Sequence, residues 1–317
     1  MEEIIAPISK EILKAELSED KRLRFTNKSH NEIYVITHQD SPNVMKEIGR
    51  LREIAFRAAG GGTGKAMDID EYDVMENPYK QLVVWNPEAE EILGGYRYLL
   101  GDEVQFDEHG KPLLATAHMF NFSEVFLKKY LPYTVELGRS FVVQDYQRRS
   151  QTLLLLWRGI LHVLLRNPSY RYLMGPVSMS GGYAMAAKWL LIDYIKANHW
   201  NADLAKYVVP RNGVGALGRP AVDAEMVRRI ASTDEIDKLI RDVEPSGQGM
   251  PVLMKKYLQL GGRVMGFNID PLFNDTLDAM LILDLCDVPK DKIDLVAREY
   301  VGENVYERFR AVGNTMV

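Results

Sequence analysis

The stretch VELGRSFVVQDYQRRSQTLLLLWRGIL, residues 135–161, combines three kinds of local structure. Residues 135–143 are mostly apolar and predict an extended strand, whereas residues 151–165 are dense in leucine and predict a helix. Between them lies the polar loop QDYQRRSQ, which contains two adjacent arginines. The amide groups of a helix N-terminus attract anionic oxygens, and neighbouring arginines strengthen that attraction. The stretch therefore predicts a strand–loop–helix unit that receives a phosphate-bearing ligand.

The predicted strand contains a charged residue that needs an explanation. Strict alternation places Glu136 and Gly138 on one face of the strand, and Arg139 and Phe141 on the other. A carboxylate within a buried strand is costly unless it is paired or takes part in chemistry. Burial generally raises the pKa of a carboxylic acid, which suits a general base working near neutral pH. Two interpretations of Glu136 carry equal weight: a general base, and a structural ion pair with an arginine.

Composition limits the class of protein. A chain of 317 residues with 46% hydrophobic and 26% charged residues predicts a globular protein of one large domain or two ordinary ones. The net charge of -5 argues against a general nucleic-acid binder. Cys286 is the single cysteine, which excludes an intrachain disulfide and a Cys-rich metal site. With no apolar run of the ~20 residues that a membrane span needs, we expect a cytoplasmic protein that meets a membrane only at its surface.

The order of predicted elements indicates an α/β fold. Strands alternate with helices and hairpins along the chain, which is typical of a mixed sheet covered by helices. Ser41-Pro42 predicts the start of a helix whose inner stripe contains Val44, Ile48, Leu51 and Ala55. Residues 200–248 are more polar and mostly helical, and are predicted to be an insertion.

A glycine-rich segment, AGGGTGKA at residues 59–66, nearly matches the phosphate-binding loop GxxxxGK[ST]. Ala59 and Ala66 stand where that motif requires glycine and a hydroxyl. A helix precedes the segment, whereas a phosphate-binding loop follows a strand. We therefore expect a flexible loop beside a site.

Three aspartates follow this loop, at Asp68, Asp70 and Asp73. Such a cluster is usually a solvated turn or a weak cation site, and this one lacks the glycine and the distal glutamate of a calcium loop. Arg97, on a following strand, could pair with one of the acids, and carboxylates held by arginines could bind an amine or brace a site. From pattern alone the solvated turn is the leading interpretation, and no metal site is predicted.

The loop before the leucine-rich helix resembles a family motif. Residues 147–152, QRRSQT, resemble the acyl-donor-binding motif Q/R-x-x-G-x-G/A of the GNAT N-acyltransferase superfamily, with Ser150 and Thr152 in place of the small glycines. In that family the motif binds the phosphopantetheine-bearing donor before a helix. The replaced glycines argue against a tightly wrapped coenzyme A pyrophosphate.

A narrower resemblance rests on four motifs in order: R-x-x-x-F, D-x-D-x-x-D, G-G-x-R and E-x-x-R. This order resembles the acyl-homoserine-lactone synthases and the bacterial ornithine- and glycine-lipid N-acyltransferases, which are often labelled hemolysins. The second group fits better, through EIGRLREIAFRAAGGGTGK, WNPE, ILGGYRY, ELGRSFV and YLQLGGRVMGFNIDPLF, spread over about residues 40 to 290. Both groups take the acyl chain from acyl carrier protein.

The resemblance implies a single GNAT-like domain over residues 1–317, with a mostly antiparallel twisted sheet flanked by helices. Residues 1–38 would be an N-terminal extension packed on this domain, and residues 200–248 a helical insertion. The implied activity moves a 3-hydroxy-fatty-acyl chain from acyl carrier protein to the α-amine of glycine or ornithine, in aminolipid biosynthesis. No permanent cofactor is implied, and acyl-phosphopantetheine, on carrier protein or coenzyme A, is the donor substrate.

The resemblance also implies roles for individual residues. Glu136 would be the base, and backbone amides around Phe141, Val142 and Val143 would hold the oxyanion. The remaining residues form two groups, an acceptor side and a donor side. The acceptor side comprises Arg52, Phe56, Asp68, Asp70, Asp73, Arg97 and Arg139; the donor side adds Gln147, Arg148, Arg149 and Ser150, and Lys128 and Lys129 would join the two arginines in docking the acidic carrier protein.

Two alternatives remain at this point. A homoserine-lactone-type synthase would require S-adenosylmethionine as a second substrate. A non-catalytic lipid-binding or membrane-active protein would fit the hemolysin label, but the sequence has no long amphipathic or spanning segment to support it. The expected location is the cytoplasm, with peripheral contact to the inner membrane.

Overall fold

The computed structural model describes residues 1–25, 30–147, 150–220, 224–297 and 304–315. The strands are β1 (Arg22–Phe25), β2 (Glu32–Ile36), β3 (Lys80–Asn86), β4 (Glu91–Leu100), β5 (Phe120–Phe122), β6 (Thr134–Val142), β7 (Tyr172–Met179), β8 (Val208–Pro210), β9 (Arg263–Asp270) and β10 (Thr276–Asp284).

The helices are α1 (Lys10–Glu16), α2 (Pro42–Ala58), α3 (Glu71–Val74), α4 (Glu124–Lys129), α5 (Gln144–Gln147), α6 (Ser150–Arg166), α7 (Met185–Asn198), α8 (Ala202–Ala205), α9 (Ala224–Arg228), α10 (Thr233–Val243), α11 (Val252–Gln259), α12 (Lys290–Ala297) and α13 (Val305–Thr315). Among the described residues, none of these helices combines the length and the apolarity that crossing a membrane requires.

The chain divides into two compact units. The first unit comprises Met1–Leu113, Val135–Arg171 and Lys290–Val317, and the second comprises Leu114–Thr134 and Tyr172–Pro289. The predicted mixed α/β fold with a mostly antiparallel sheet is confirmed. The prediction of one domain over residues 1–317 stays a prediction.

The first unit is built on antiparallel strands in the order β1-β2-β3-β4-β6. Two of these strands, β1 and β2, lie within residues 1–38, the predicted N-terminal extension. Since β2 pairs with β3 along its whole length, that part of the extension belongs to the sheet. The segments QLVVW and ILGGYRYLL, joined by the turn-like NPEAEE, predict two strands. They form the hairpin from β3 to β4, which supplies the centre of this sheet.

Helix α2 covers one face of this sheet. Val44, Ile48 and Ala55 are buried against Val83 and Phe141, and Leu51 packs at the edge of the same cluster, which confirms the predicted inner stripe. Helix α1 adds Leu13 and Leu17 to this core. Burying a Val, Leu or Ile side chain stabilises a fold by about 1.5–3 kcal/mol, so this cluster holds α2 firmly on the sheet.

The sequence of residues 8–17, ISKEILKAEL, predicts a helix with Ile8, Ile12, Leu13 and Leu17 on one face. One residue of this predicted stripe, Ile12, points elsewhere. Ile12 is 44% exposed, whereas its neighbour Leu13 is buried. The helix begins at Lys10 and has only seven residues, so its buried face is too narrow to include both. The prediction for Ile12 was wrong.

Helix α6 covers the opposite face of the same sheet. A Cβ atom added to Gly159 would lie 2.7 Å from Cδ1 of Leu82, a neighbour of Val83 on β3. Because successive strand residues face opposite ways, α6 and α2 lie on different sides. Gly159 therefore permits a close approach of α6 to β3.

The second unit has its own antiparallel strands, with β10 between β7 and β9. A short pair, β5 with β8, accompanies them. Residues 200–248, the predicted helical insertion, contain α8, α9 and α10, and also β8.

Strand β6 contains a bulge that the sequence analysis missed. Arg97 of β4 pairs with Gly138, and Gly95 pairs with Phe141, so the pairing register shifts between these points. Arg139 has a positive φ of 47°. An extra residue in one strand resets the alternation beyond it. Phe141 therefore lies on the same face as Gly138, and its predicted place on the opposite face was wrong.

Candidate active site

The segment from Asp68 to Asp73 is fixed by its backbone before any of its side chains meets an arginine. The amide of Asp68 donates to the carbonyl of Gly49 at 2.9 Å. Gly49 allows this approach, because a Cβ there would lie 2.7 Å from Cγ1 of Ile69. Asp70 then caps α3 by accepting from the amide of Tyr72, while the Asp73 carboxylate accepts from the amide of Asp70. This capping box aims the acid side chains in defined directions.

Two buried arginines approach these acids from different elements. Arg52 of α2 donates to Asp73 at 3.1 Å and also to the amide oxygen of Gln81. Arg97 of β4 lies 2.6 Å from Asp70 and 3.3 Å from Asp73. The predicted pairing of Arg97 with these acids is confirmed. Gln81 completes the contact by donating to Asp73 at 2.9 Å.

The bulge on β6 brings the third arginine to the same place. Arg139 Nε lies 3.0 Å from Asp68, and its Nη2 lies 3.4 Å from Asp70. The left-handed backbone at Arg139 turns the side chain to the side of the sheet where Arg97 lies, contrary to the predicted alternation. We call Arg52, Arg97, Arg139, Asp68, Asp70 and Asp73 the Arg–Asp cluster.

The Arg–Asp cluster is charge-balanced, with three arginines and three aspartates. Burial by itself would raise the pKa of Asp73, but the charges of Arg52 and Arg97 outweigh it and lower the pKa to about 2. Burial likewise acts to lower the pKa of Arg97, but Asp73 and Asp70 hold that pKa above its ordinary value. Asp73 and Arg97 therefore both stay charged at neutral pH.

The interpretation of the aspartates as a solvated turn was wrong. Asp68 and Asp73 are buried, and Asp70 is only 20% exposed. Each of the three carboxylates contacts at least one arginine. In the described parts of the chain, no group of three or more His, Cys, Asp or Glu residues could hold a metal ion.

The candidate base, Glu136, lies on β6 beside this cluster. Its Oε2 accepts a hydrogen bond from the hydroxyl of Tyr79, and both side chains are buried. The Tyr79 ring packs edge-on against Tyr72, with 5.7 Å between centroids. The guanidinium of Arg97 lies 5.0 Å from the centroid of Tyr79. Tyr79 therefore connects Glu136 to the Arg–Asp cluster.

Sequence reasoning missed Tyr79 and Gln81. Gln81 pairs directly with Arg97 across β3 and β4, so its side chain lies on the same face as the arginine. Tyr79 lies two residues earlier and continues that face. An alternation count from Arg97 across the predicted hairpin could have found both, once the register was known.

The donor side is described only in part. Val143 donates its amide to the carbonyl of Leu93 at 2.9 Å, and Phe141 and Val142 pair with Gly95 and Gly94 of β4. Gln147 is exposed, and its side chain donates to the Val142 carbonyl at 3.0 Å. Ser150 begins α6. The predicted phosphate ligands, residues 148 and 149, lie outside the described residues.

A pocket of about 200 Å³ lies beside the end of β6. Leu51, Ile54 and Ala55 of α2 form its apolar wall together with Val143. Phe56, from the same helix, is partly buried and packs on the core cluster instead. The rim is polar and comprises Arg50, Gln144 and Asp145.

The glycine loop, residues 60–64, is held in place by hydrogen bonds to helix α2. Glu53 of α2 is buried and accepts from the amide and the hydroxyl of Thr63 and from the amide of Gly64. Arg57 holds the same carboxylate at 2.7 Å. Burial opposes the effect, but these donors lower the pKa of Glu53, so the anchor stays ionised. The loop is therefore anchored to α2 by hydrogen bonds. The sequence predicts a flexible loop and does not predict this anchor.

Comparison with known proteins identifies the family. A family model described as the Acetyltransferase (GNAT) domain matches residues 51–158, which include all six residues of the Arg–Asp cluster and Glu136. A glycine N(alpha)-acyltransferase of Phocaeicola vulgatus is 56% identical over 304 residues, which cover 92% of this chain and 91% of that protein. The chain belongs to the GNAT-type N-acyltransferases. A second member, the glycine N(alpha)-acyltransferase of Bacteroides thetaiotaomicron, is 49% identical over 92% of this chain and 88% of its own.

Solved structures also align with this N-acyltransferase, at much lower similarity. An acyl-homoserine lactone synthase described as CoA-dependent, solved with SAM and isopentyl-CoA, aligns with 89% of this chain and 98% of its own, at 11% identity and a TM-score of 0.38. A likeness at that level has no bearing on chemistry. The resemblance to the N-acyltransferases drawn from the sequence motifs is confirmed by the two closer relatives.

Proposed function

We propose that this N-acyltransferase moves a fatty acyl chain from an acyl carrier protein to the α-amine of glycine. The observation that carries the proposal is the 56% identity, over nearly the whole chain, to a protein named glycine N(alpha)-acyltransferase. Glycine is accordingly preferred over ornithine as the acceptor. A 3-hydroxy-fatty-acyl chain is the expected cargo, and the N-acylglycine would be the first intermediate of an aminolipid made in the cytoplasm beside the inner membrane.

The proposed reaction is a direct transfer. Glu136 takes a proton from the acceptor's ammonium group, directly or through a water molecule, so that the amine becomes nucleophilic. The amine nitrogen attacks the thioester carbonyl, and the amides of Phe141 and Val142 stabilise the oxyanion. When the tetrahedral intermediate collapses, the C–N bond remains and the C–S bond breaks. The nitrogen loses its second proton, the leaving thiolate takes up a proton to become the thiol, and Glu136 releases the first proton to solvent. Cys286 lies outside this site, and no covalent enzyme intermediate is needed.

Two features support a carrier-protein donor. Ser150 and Thr152 replace the small residues that let a backbone wrap around a coenzyme A pyrophosphate. The phosphopantetheine arm of a carrier protein has one phosphate and no adenosine diphosphate. It therefore does not require the backbone of this turn to wrap closely around a pyrophosphate. Arg148 and Arg149 of the same loop would meet that phosphate.

The experiment combines purified protein, glycine and either acyl carrier protein or coenzyme A charged with the same acyl chain. We expect N-acylglycine by mass spectrometry, with a higher kcat/KM for the carrier-protein donor. Glu136→Gln keeps the shape of the side chain but removes the base, and we expect a loss of at least about 100-fold in kcat. Near-normal turnover of this variant at saturating donor would remove Glu136 as the base.

A further inference from the structure

A gap lies above Gly138 in the middle of the candidate site. Gly138 faces Arg97 across the β4–β6 pair. A Cβ atom added to Gly138 would meet only Nε of Arg97, at 3.8 Å, among the described residues. Gly138 is itself partly exposed, so the gap is reachable from solvent. Any larger residue at position 138 would occupy this space.

The floor of the gap holds a buried donor that lacks an acceptor. Arg97 is 3% exposed, and its Nη1 is taken by Asp70 and Asp73. Its Nε has no hydrogen-bond partner within the described part of the chain. A buried N–H without an acceptor is destabilising and needs an explanation, of which a ligand is one. This nitrogen is sealed from bulk water and lies beside the gap, 3.8 Å from where a Cβ atom of residue 138 would stand.

The charged groups around the gap differ in their access to solvent. Arg52 and Asp73 are sealed in the interior, whereas Arg139 is 26% exposed and Asp70 is 20% exposed. Glu136 lies two residues before Gly138 on the same face of β6. The solvent-accessible edge of the Arg–Asp cluster therefore presents a guanidinium and a carboxylate next to the candidate base.

We propose that the gap above Gly138 binds the carboxylate of the amino-acid acceptor, with Arg97 Nε–H donating to it and Arg139 providing the second positive charge. The inference rests on the proposed function and states which side chains recognise the acceptor. The other end of the acceptor, its amine, then points towards Glu136 and Asp70. A molecule without a carboxylate beside its amine cannot satisfy both ends.

Gly138→Ala tests this site with little risk to the fold. A separation of 3.8 Å is ordinary van der Waals contact, and the backbone of Gly138 lies outside the left-handed region. The added methyl group fills the gap in front of Arg97 Nε. We expect the KM for glycine to rise about 10-fold or more, while the KM for the acyl donor stays within about two-fold, because only the acceptor loses a charge-assisted hydrogen bond.

A competition between glycine and glycinamide in the same tube makes the test independent of the active enzyme fraction. Glycinamide has the same amine but no carboxylate. We expect wild type to prefer glycine by about 10- to 100-fold, and Gly138→Ala to lose most of that preference. Gly215→Ala is the matched control, since Gly215 is exposed and a Cβ there meets nothing within 4 Å.

The outcomes separate the two proposals. An unchanged product ratio in Gly138→Ala, or a wild-type enzyme that takes glycinamide as readily as glycine, overturns the carboxylate site while leaving acyl transfer to glycine intact. Absence of any N-acylated product from wild type with every amino acid and both donors overturns the proposed function itself, and the carboxylate site with it.

Discussion

Removing the hydroxyl of Tyr79 should disable the site without disturbing its packing. That hydroxyl donates to Oε2 of Glu136. Tyr79→Phe keeps the ring, which packs on Tyr72 and under the guanidinium of Arg97. The perturbation is therefore limited to one hydrogen bond of a buried carboxylate.

The magnitude follows from the type of bond. Hydrogen bonds to charged groups contribute about 1.5–3 kcal/mol, which corresponds to about 10- to 150-fold in an equilibrium or a rate. The bond favours the ionised form of Glu136, so its loss favours the protonated form. Because a protonated Glu136 could not accept a proton from the amine, we expect the acid limb of the rate profile to move to higher pH.

The assay is kcat/KM for glycine between about pH 5 and 9, with thermal unfolding measured on the same preparations. Tyr34→Phe is the matched control, because the hydroxyl of the buried Tyr34 donates to the partly exposed Glu32 at 2.7 Å, in a second tyrosine–carboxylate pair. Burial and Glu32 raise the pKa of Tyr34 to about 12, so this hydroxyl also stays protonated over the assay range. We expect the control to change stability without moving the acid limb.

A fall in rate alone would not establish the positioning role of Tyr79. If Tyr79→Phe lowers the melting temperature and the rate but leaves the acid limb where it is in wild type, Tyr79 has only a structural role. A normal rate with a normal pH profile would mean that the hydrogen bond does not act on the base at all.

Further predictions concern the buried charges. Asp73→Asn should lower the free energy of unfolding in urea by about 3–5 kcal/mol, because Arg52 and Arg97 lose a buried counter-charge. A loss no larger than that caused by an Asp→Asn change at the surface would contradict the importance of this counter-charge. The pKa of Asp73 is lowered from 3.8 to about 2 in the fold, so its contribution of about 2 kcal/mol is present above about pH 4 and should disappear as the pH falls towards 2. Glu53→Gln should release Thr63 and make the glycine loop the first site of limited proteolysis, and equal cleavage rates in variant and wild type would show that the anchor is unimportant.

Much of the fold could be predicted from the sequence, because its strands and α2 carry regular patterns of apolar residues. The stripe of Val44, Ile48 and Ala55 fixes which face of α2 is buried, and β3 and β4 are bounded by a clear turn. Ile12 shows the limit of this reasoning. A short helix can satisfy the same period with a narrower buried face, and only packing decides which residues it includes.

The membership of the site could be predicted better than its geometry. The order of the motifs along the sequence is enough to place Arg52, Arg97 and Glu136 in one group. The position of Arg139 could not be predicted, because a bulge depends on which residues of β4 and β6 pair, and that register is a tertiary property. Tyr79 carries no motif of its own and becomes relevant only when β3 and β4 are aligned.

If the Arg–Asp cluster recognises the acceptor as proposed, its equal numbers of arginines and aspartates restrict how the acceptor preference can diverge in evolution. A single charge-changing substitution in the interior leaves a buried ion without its counterpart, so drift at Arg52 or Asp73 requires a compensating change elsewhere at nearly the same time. At the solvent-accessible edge, water can screen such a change at Arg139 or Asp70. Descendants with a different acceptor should therefore first differ at this edge, and their interior charges should be the last to change.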